Sequence, residues 1–179
     1  MSKSSINIEK SITSGWLVKP RDWFEKFDYF FFYFVGLVML FASAMLFLST
    51  KNPNTNERPV VYFFCPIIFL LTLYSIYRKI LENKLTSVQT GLTKLKNQKI
   101  LTEFIQSQHY DKVANYTNVI IVTDESSLSH NGNNITILTF ILSDNVIFFN
   151  VVKKTYRLSP PVLFHHIFLK QKLRKLFQV

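Results

Sequence analysis

Phe27–Leu48 reads FDYFFFYFVGLVMLFASAMLFL, and Val60–Tyr77 follows as VVYFFCPIIFLLTLYSIY after only eleven residues. The first run carries one charge, Asp28 at its very edge, and the second carries none. A hydrocarbon layer about 30 Å thick takes about 20 apolar residues at about 1.5 Å of rise each, and both runs approach that length. The connection, Lys51 to Arg58, is too short to hold a domain. Two such runs in tandem predict a helical hairpin that spans a membrane (27–78, spans 27–48 and 60–77), preceded by residues 1–26 and followed by a small domain over 79–179.

Outward from the runs, the flanking sequence sets an orientation. Lys3, Lys10, Lys19, Arg21 and Lys26 precede the first span, Arg78, Lys79, Lys84, Lys94 and Lys96 follow the second, and only Lys51 and Arg58 lie between. Basic residues collect on the cytoplasmic side, so both termini are expected there, in a bacterial inner membrane. Residues 1–26 are polar and mixed in charge and do not read as a cleaved leader. Tyr29, Tyr33, Tyr74 and Tyr77, with Trp16 and Trp23 outside them, form the aromatic belt expected at headgroup level. Gly36, Ala42, Ser43 and Ala44 offer the first helix a close approach to another helix. Pro66 removes one backbone donor within the second span and is expected to distort it. A channel or transporter leaves ionisable residues at depth as its trace. These spans show none, which points to anchoring and leaves self-association open.

The chain holds 21 basic against 11 acidic residues. From Arg78 onward the ratio is fourteen to six, so the excess sits in the domain after the hairpin. A basic domain tethered to a bilayer meets anionic headgroups before it meets nucleic acid, which is therefore disfavoured as a partner. The single cysteine, Cys65, excludes an internal disulfide and a cysteine metal cluster.

The domain itself reads as small α+β. Thr90-Gly91 interrupts the Leu85, Val88, Leu92, Leu95 spacing, and Thr93 is placed as the cap of a helix to about Gln108 with Ile100, Leu101, Phe104 and Ile105 buried. Three strands follow, Val119–Thr123, Ile135–Leu142 and Val146–Val152. Asn131-Gly132 and Asp144-Asn145 are the turns of an antiparallel meander, the second needing positive φ. Ser159-Pro160-Pro161 is read as the start of a last helix running to about Phe177.

That order, with Thr90–Asn97 (TGLTKLKN) after a two-span hairpin and a strand ending FFNVV, resembles small uncharacterised two-span membrane proteins of bacteria, a resemblance that implies no activity. A looser likeness is to bacterial membrane-tethered modules resembling pleckstrin-homology domains, which have more strands than the three or four legible here.

Candidate chemistry is sparse. His165 and His166 are adjacent, so on a helix they point about 100° apart and cannot chelate one metal. His109 and His130 stand in connections, and turn chemistry accounts for Asp124, Glu125 and Asp144. Asn115-Tyr-Thr and Asn134-Ile-Thr match the glycosylation pattern but fall on the cytoplasmic side of this topology. No catalytic set, cofactor or metal is expected. The residues selected are basic: Arg78, Lys79, Lys170, Lys172, Arg174 and Lys175, as contacts to the anionic membrane surface. The expected partners are the bilayer, its anionic headgroups and a protein. The alternatives are a small enzyme acting on lipid with His165, His166 or Asp124 in its site, and a stress or defence effector that breaches the membrane.

Overall fold

The computed structural model describes residues 6–49, 58–110, 112–125, 134–155 and 159–177. It divides into two compact units, Arg21–Ile80, and Met1–Pro20 together with Leu81–Val179.

The first unit is a pair of packed helices. Helix α2, Trp23–Ser49, follows the short α1, Ile8–Ser14, in chain order, and it starts where the Asp22 carboxylate accepts the Glu25 N–H at 2.7 Å. Satisfying an N-terminal donor in this way is what an N-cap does. The second helix opens as a wide turn over Val60–Phe64, in which the Cys65 N–H reaches back five residues to the Val60 carbonyl, and continues as α3, Cys65–Ile80. Proline cannot donate and its ring crowds the preceding turn, so the wider winding just before Pro66 is the distortion expected there. Gly36 is used inside this pair: a Cβ built on it would lie 2.9 Å from Ile76 Cδ1. The small residue lets α3 approach α2. Both helices are long and apolar enough to cross a membrane. Only 11% of each apolar window is buried, so neither is the core helix of a soluble protein.

The second unit is built on a five-stranded antiparallel sheet in the order β1-β5-β4-β3-β2. Its strands are β1 Thr86–Gln89, β2 Lys112–Asn115, β3 Val119–Glu125, β4 Asn134–Leu142 and β5 Val146–Thr155. The expected three-strand meander is present as β3–β4–β5, and the sheet is larger by one short strand at each edge. β1 and β2 have four residues each, with one or two apolar side chains apiece, so neither carries an alternating pattern; their pairing with β5 and β3 comes from tertiary context. The turn at Asp144-Asn145 is as expected, with Asn145 at φ 62°. The turn assigned to Asn131-Gly132 lies outside the described residues, as does most of the hairpin connection after Lys51.

Helices α4 (Lys94–Ser107) and α5 (His165–Phe177) cover one face of the sheet. There Leu101, Ile105, Leu169 and Leu173 pack against Val88, Ile120, Val122, Leu138, Phe140 and Phe149. Thr93 occupies the N-cap position of α4 without a side-chain hydrogen bond. The Asp144 carboxylate serves instead, accepting the Lys94 N–H at 2.9 Å from the β4–β5 turn. Asn97 Nδ2 donates to the carbonyls of Leu92 and Ser143, tying the same helix to the same turn. α5 begins later than Ser159. Pro161 disfavours helical geometry at Pro160, so the chain reaches Val162 before winding regularly from His165.

The other face is covered by residues read from sequence as a separate leading segment. Ile6, Ile8, Ile12 and Leu17, from α1 (Ile8–Ser14) and the strand-like stretch after it, pack on Val119, Ile141 and Phe148. Gly15, at φ 70°, turns the chain so that the Leu17 N–H donates to the Asn83 carbonyl and the Leu85 N–H to that of Gly15. Trp16 pairs with Lys84 here. Both faces of β3 and β4 are thus apolar because both are covered.

Candidate membrane-surface site

Helix α5 has two sides that differ sharply. Leu169, Leu173 and Phe177, at intervals of four, are buried against the sheet. Opposite them, Phe164, Ile167 and Phe168 are 53%, 42% and 61% exposed. At 3.6 residues per turn, Phe164, Phe168, Gln171 and Lys175 fall within about 60° of one another around the axis. Gln171, Lys172, Arg174 and Lys175 are exposed and Lys170 is half-buried. The face therefore runs from aromatic at its start to basic at its end. The cations also sit at the helix C-terminus, where the dipole favours them.

The six basic residues selected from sequence fall in both units. Lys170, Lys172, Arg174 and Lys175 share α5. Arg78 and Lys79 belong to the helical pair, where Lys79 is buried. Its side chain is 1% exposed, and Nζ stands 3.1 Å from Asp28 Oδ2. The same nitrogen lies 4.5 Å from the Tyr29 ring centre and 5.6 Å from that of Phe32, while the Arg21 guanidinium stacks 4.7 Å from Tyr29. A carboxylate and two ring faces stabilise an ammonium buried beside an apolar helix pair. Lys79 joins the start of α2 to the end of α3.

A second group of polar residues gathers around His165, at the start of α5. Asp124, Thr136 and Lys153 are direct cross-strand partners on β3, β4 and β5. Crowding by surrounding protein holds the His165 imidazole below its ordinary range; Asp124 opposes that shift, and Lys172 and Lys153 add to it. Burial raises the Tyr110 phenol, and the Asp124 carboxylate raises it further. Lys172 Nζ donates to Gln108 Oε1 at 3.5 Å. Asp124 and His165, 41 positions apart in sequence, thus share an electrostatic neighbourhood; His166, named with them, is half-buried on α5. No group of three or more His, Cys, Asp or Glu side chains suited to a metal occurs among the described residues.

The exposed aromatics of α5 were not selected from sequence, where Val162–Leu169 reads as apolar nearly all round. The signal was the fourfold spacing of Leu169, Leu173 and Phe177. That spacing assigns the buried side and leaves Phe164 and Phe168 on the other. Comparison with protein-family models, curated proteins and solved structures finds no match to this chain.

Proposed function

We propose that this chain is a non-enzymatic membrane-anchored protein. The α2–α3 pair spans the bilayer with both chain ends in the cytoplasm, and the basic sheet domain works at the anionic inner surface, on headgroups or on a protein held there. The observation that carries the reading is the outward apolar surface of both long helices, 11% buried over their apolar windows. In water that surface is unfavourable at about 25 cal/mol per Å² of apolar area; in hydrocarbon it is at home. The small-residue contact of Gly36 with Ile76 and the pairing of Lys79 with Asp28 at the ends of the helices suit a membrane hairpin. The excess of eight basic residues from Arg78 onward supports the inner-surface side.

The test is thiol accessibility in a Cys65→Ser background. A cysteine at Asn54 is expected to react with a membrane-impermeant reagent in intact cells, and one at Glu103, exposed on α4, only after lysis. The reversed pattern refutes the topology, and loss of the chain from membranes on alkaline carbonate washing refutes the anchor. The neighbourhood of Asp124, His165 and Tyr110 favours a second reading, an enzyme acting on lipid. Release of headgroup or acyl chain from cell lipids by the purified protein, abolished in His165→Gln, would establish that reading instead.

A further inference from the structure

We infer that the exposed face of α5 is an interfacial helix: Phe164, Ile167 and Phe168 enter the headgroup–acyl boundary of an anionic bilayer while Lys172 and Lys175 engage its headgroups. The inference rests on the anchored reading above and commits the domain to lipid over a protein partner. Large apolar side chains exposed on other elements of this unit stand singly or in pairs, as Leu95 does on α4 and Val113 and Tyr116 do around β2. On α5 three of them occupy little more than one turn. A lone exposed apolar residue is ordinary, whereas a contiguous group marks a contact.

What makes the contact is indicated by the rest of the face. From His165 to Phe177 there are four Lys or Arg residues and no Asp or Glu. A protein surface complementary to this face would need an apolar pocket and an acidic patch side by side. An anionic bilayer supplies both at every point, with acyl chains immediately below negative headgroups. Phe168 and Lys172 are one turn apart, about 6 Å along the axis, and a helix lying in the interface buries its apolar side about 5–10 Å. A slight tilt therefore sets the aromatic end among acyl chains with the basic end still at the phosphates. Lysine stems also lie along apolar surface while their ammonium groups reach water or phosphate. The covalent link to the hairpin keeps the face near lipid, so a contact too weak to recruit a free protein is still occupied.

The experiment uses the full chain in the Cys65→Ser background, with an environment-sensitive fluorophore on Gln171→Cys, in the middle of the face. Phosphatidylcholine vesicles, with or without a minority of phosphatidylglycerol, carry shallow spin-labelled lipid as quencher. Quenching at position 171 is expected to rise about three-fold when anionic lipid is present. Lys172→Gln with Lys175→Gln is expected to remove most of the rise, as is Phe164→Ser with Phe168→Ser. A probe on Glu103→Cys, exposed on α4, stays aqueous throughout and controls for non-specific adsorption, while far-UV circular dichroism reports that each variant has kept its fold. A probe on Phe41→Cys reports hairpin insertion independently. If Phe41 is quenched and position 171 remains aqueous in anionic vesicles, the interfacial helix is refuted and the anchor stands. If Phe41 is itself unquenched, the anchor falls first. Equal quenching at 171 in neutral and anionic vesicles refutes the role of the lysines. Shielding of 171 from both water and lipid in native membranes assigns the face to a protein.

Discussion

On α2 and α3 the side chains of Phe30, Phe41 and Leu70 are exposed over more than half their area, whereas Phe140 and Phe149 in the sheet are fully buried. The same residue types thus take opposite positions in the two units. The helical pair satisfies its backbone within each helix and turns its apolar side chains outward, which suits hydrocarbon. The sheet domain encloses its apolar residues between helices on one face and the chain's leading residues on the other, which suits water. Charges follow the same division. In the helical pair, Lys79 and Asp28 satisfy each other in a buried contact; on α5, Lys172 and Lys175 stay exposed, Lys172 bonding to the exposed Gln108.

Phenylalanine truncation breaks this comparison most directly. Phe140→Ala is expected to destabilise the sheet domain by about 3–5 kcal/mol, because its neighbours cannot collapse into the space. Phe41→Ala, outward on α2, is expected to leave unfolding of that domain unchanged within about 0.5 kcal/mol. Urea unfolding followed by probes on the sheet measures both, and comparable losses would show that α2 is packed like a core helix.

The ion pair tests the hairpin. Asp28→Asn leaves the Lys79 ammonium buried beside two aromatic rings without its counter-charge, and separation of α2 from α3 in bicelles should become easier by about 3 kcal/mol. Adding Lys79→Met removes the orphaned charge and is expected to recover more than half of that loss. If the double variant is no better than Asp28→Asn alone, the pair is not the contact that matters.

A smaller effect belongs to the β4–β5 turn. Asn145 has φ 62°, its N–H donates to the Leu92 carbonyl, and its carbonyl accepts from Thr90 and Gly91. A β-branched residue is strained in that geometry, so Asn145→Val should cost about 1–2 kcal/mol. Asn145→Gly keeps the backbone and is expected to be close to neutral; equal losses would mean that the Asn side chain, not the turn, matters.

How far the sequence disclosed this division varies with the range of the interactions involved. The two long apolar helices, the α4 boundaries and the Asp144-Asn145 turn depend on neighbours within a few positions, and all were legible. The edge strands were not. Thr86–Gln89 has a single buried apolar residue, Val88, and pairs with β5 some sixty positions away. The covering of the second sheet face by Ile8, Ile12 and Leu17 was hidden for the same reason, since a short polar-looking stretch declares no partner. Of the surface site, the basic residues of α5 were evident as charges. The burial of Lys79 was not, because its partner Asp28 lies 51 positions earlier, and only packing of the two helices brings them together.

The smallest expected effect is a pH dependence of the sheet domain through His165. Its imidazole is held below the ordinary range near 6.5, chiefly by crowding and further by Lys172 and Lys153, with Asp124 opposing. The unfolded chain then takes up a proton that the folded one resists, so stability is retained above the ordinary imidazole range and declines as pH falls through it. Tyr110 acts at the opposite end. Its phenol is raised above 10.0, the unfolded chain ionises first, and stability declines as pH rises past that value. Between the two ranges neither group contributes a slope. His165→Gln should therefore flatten the decline in urea midpoint between neutral and mildly acidic pH while leaving the alkaline limb unchanged, and Tyr110→Phe should do the reverse. The helical pair supplies the contrast: unfolding measured on the sheet in Asp28→Asn should keep both limbs. Persistence of the acid limb in His165→Gln would show that His165 does not set it.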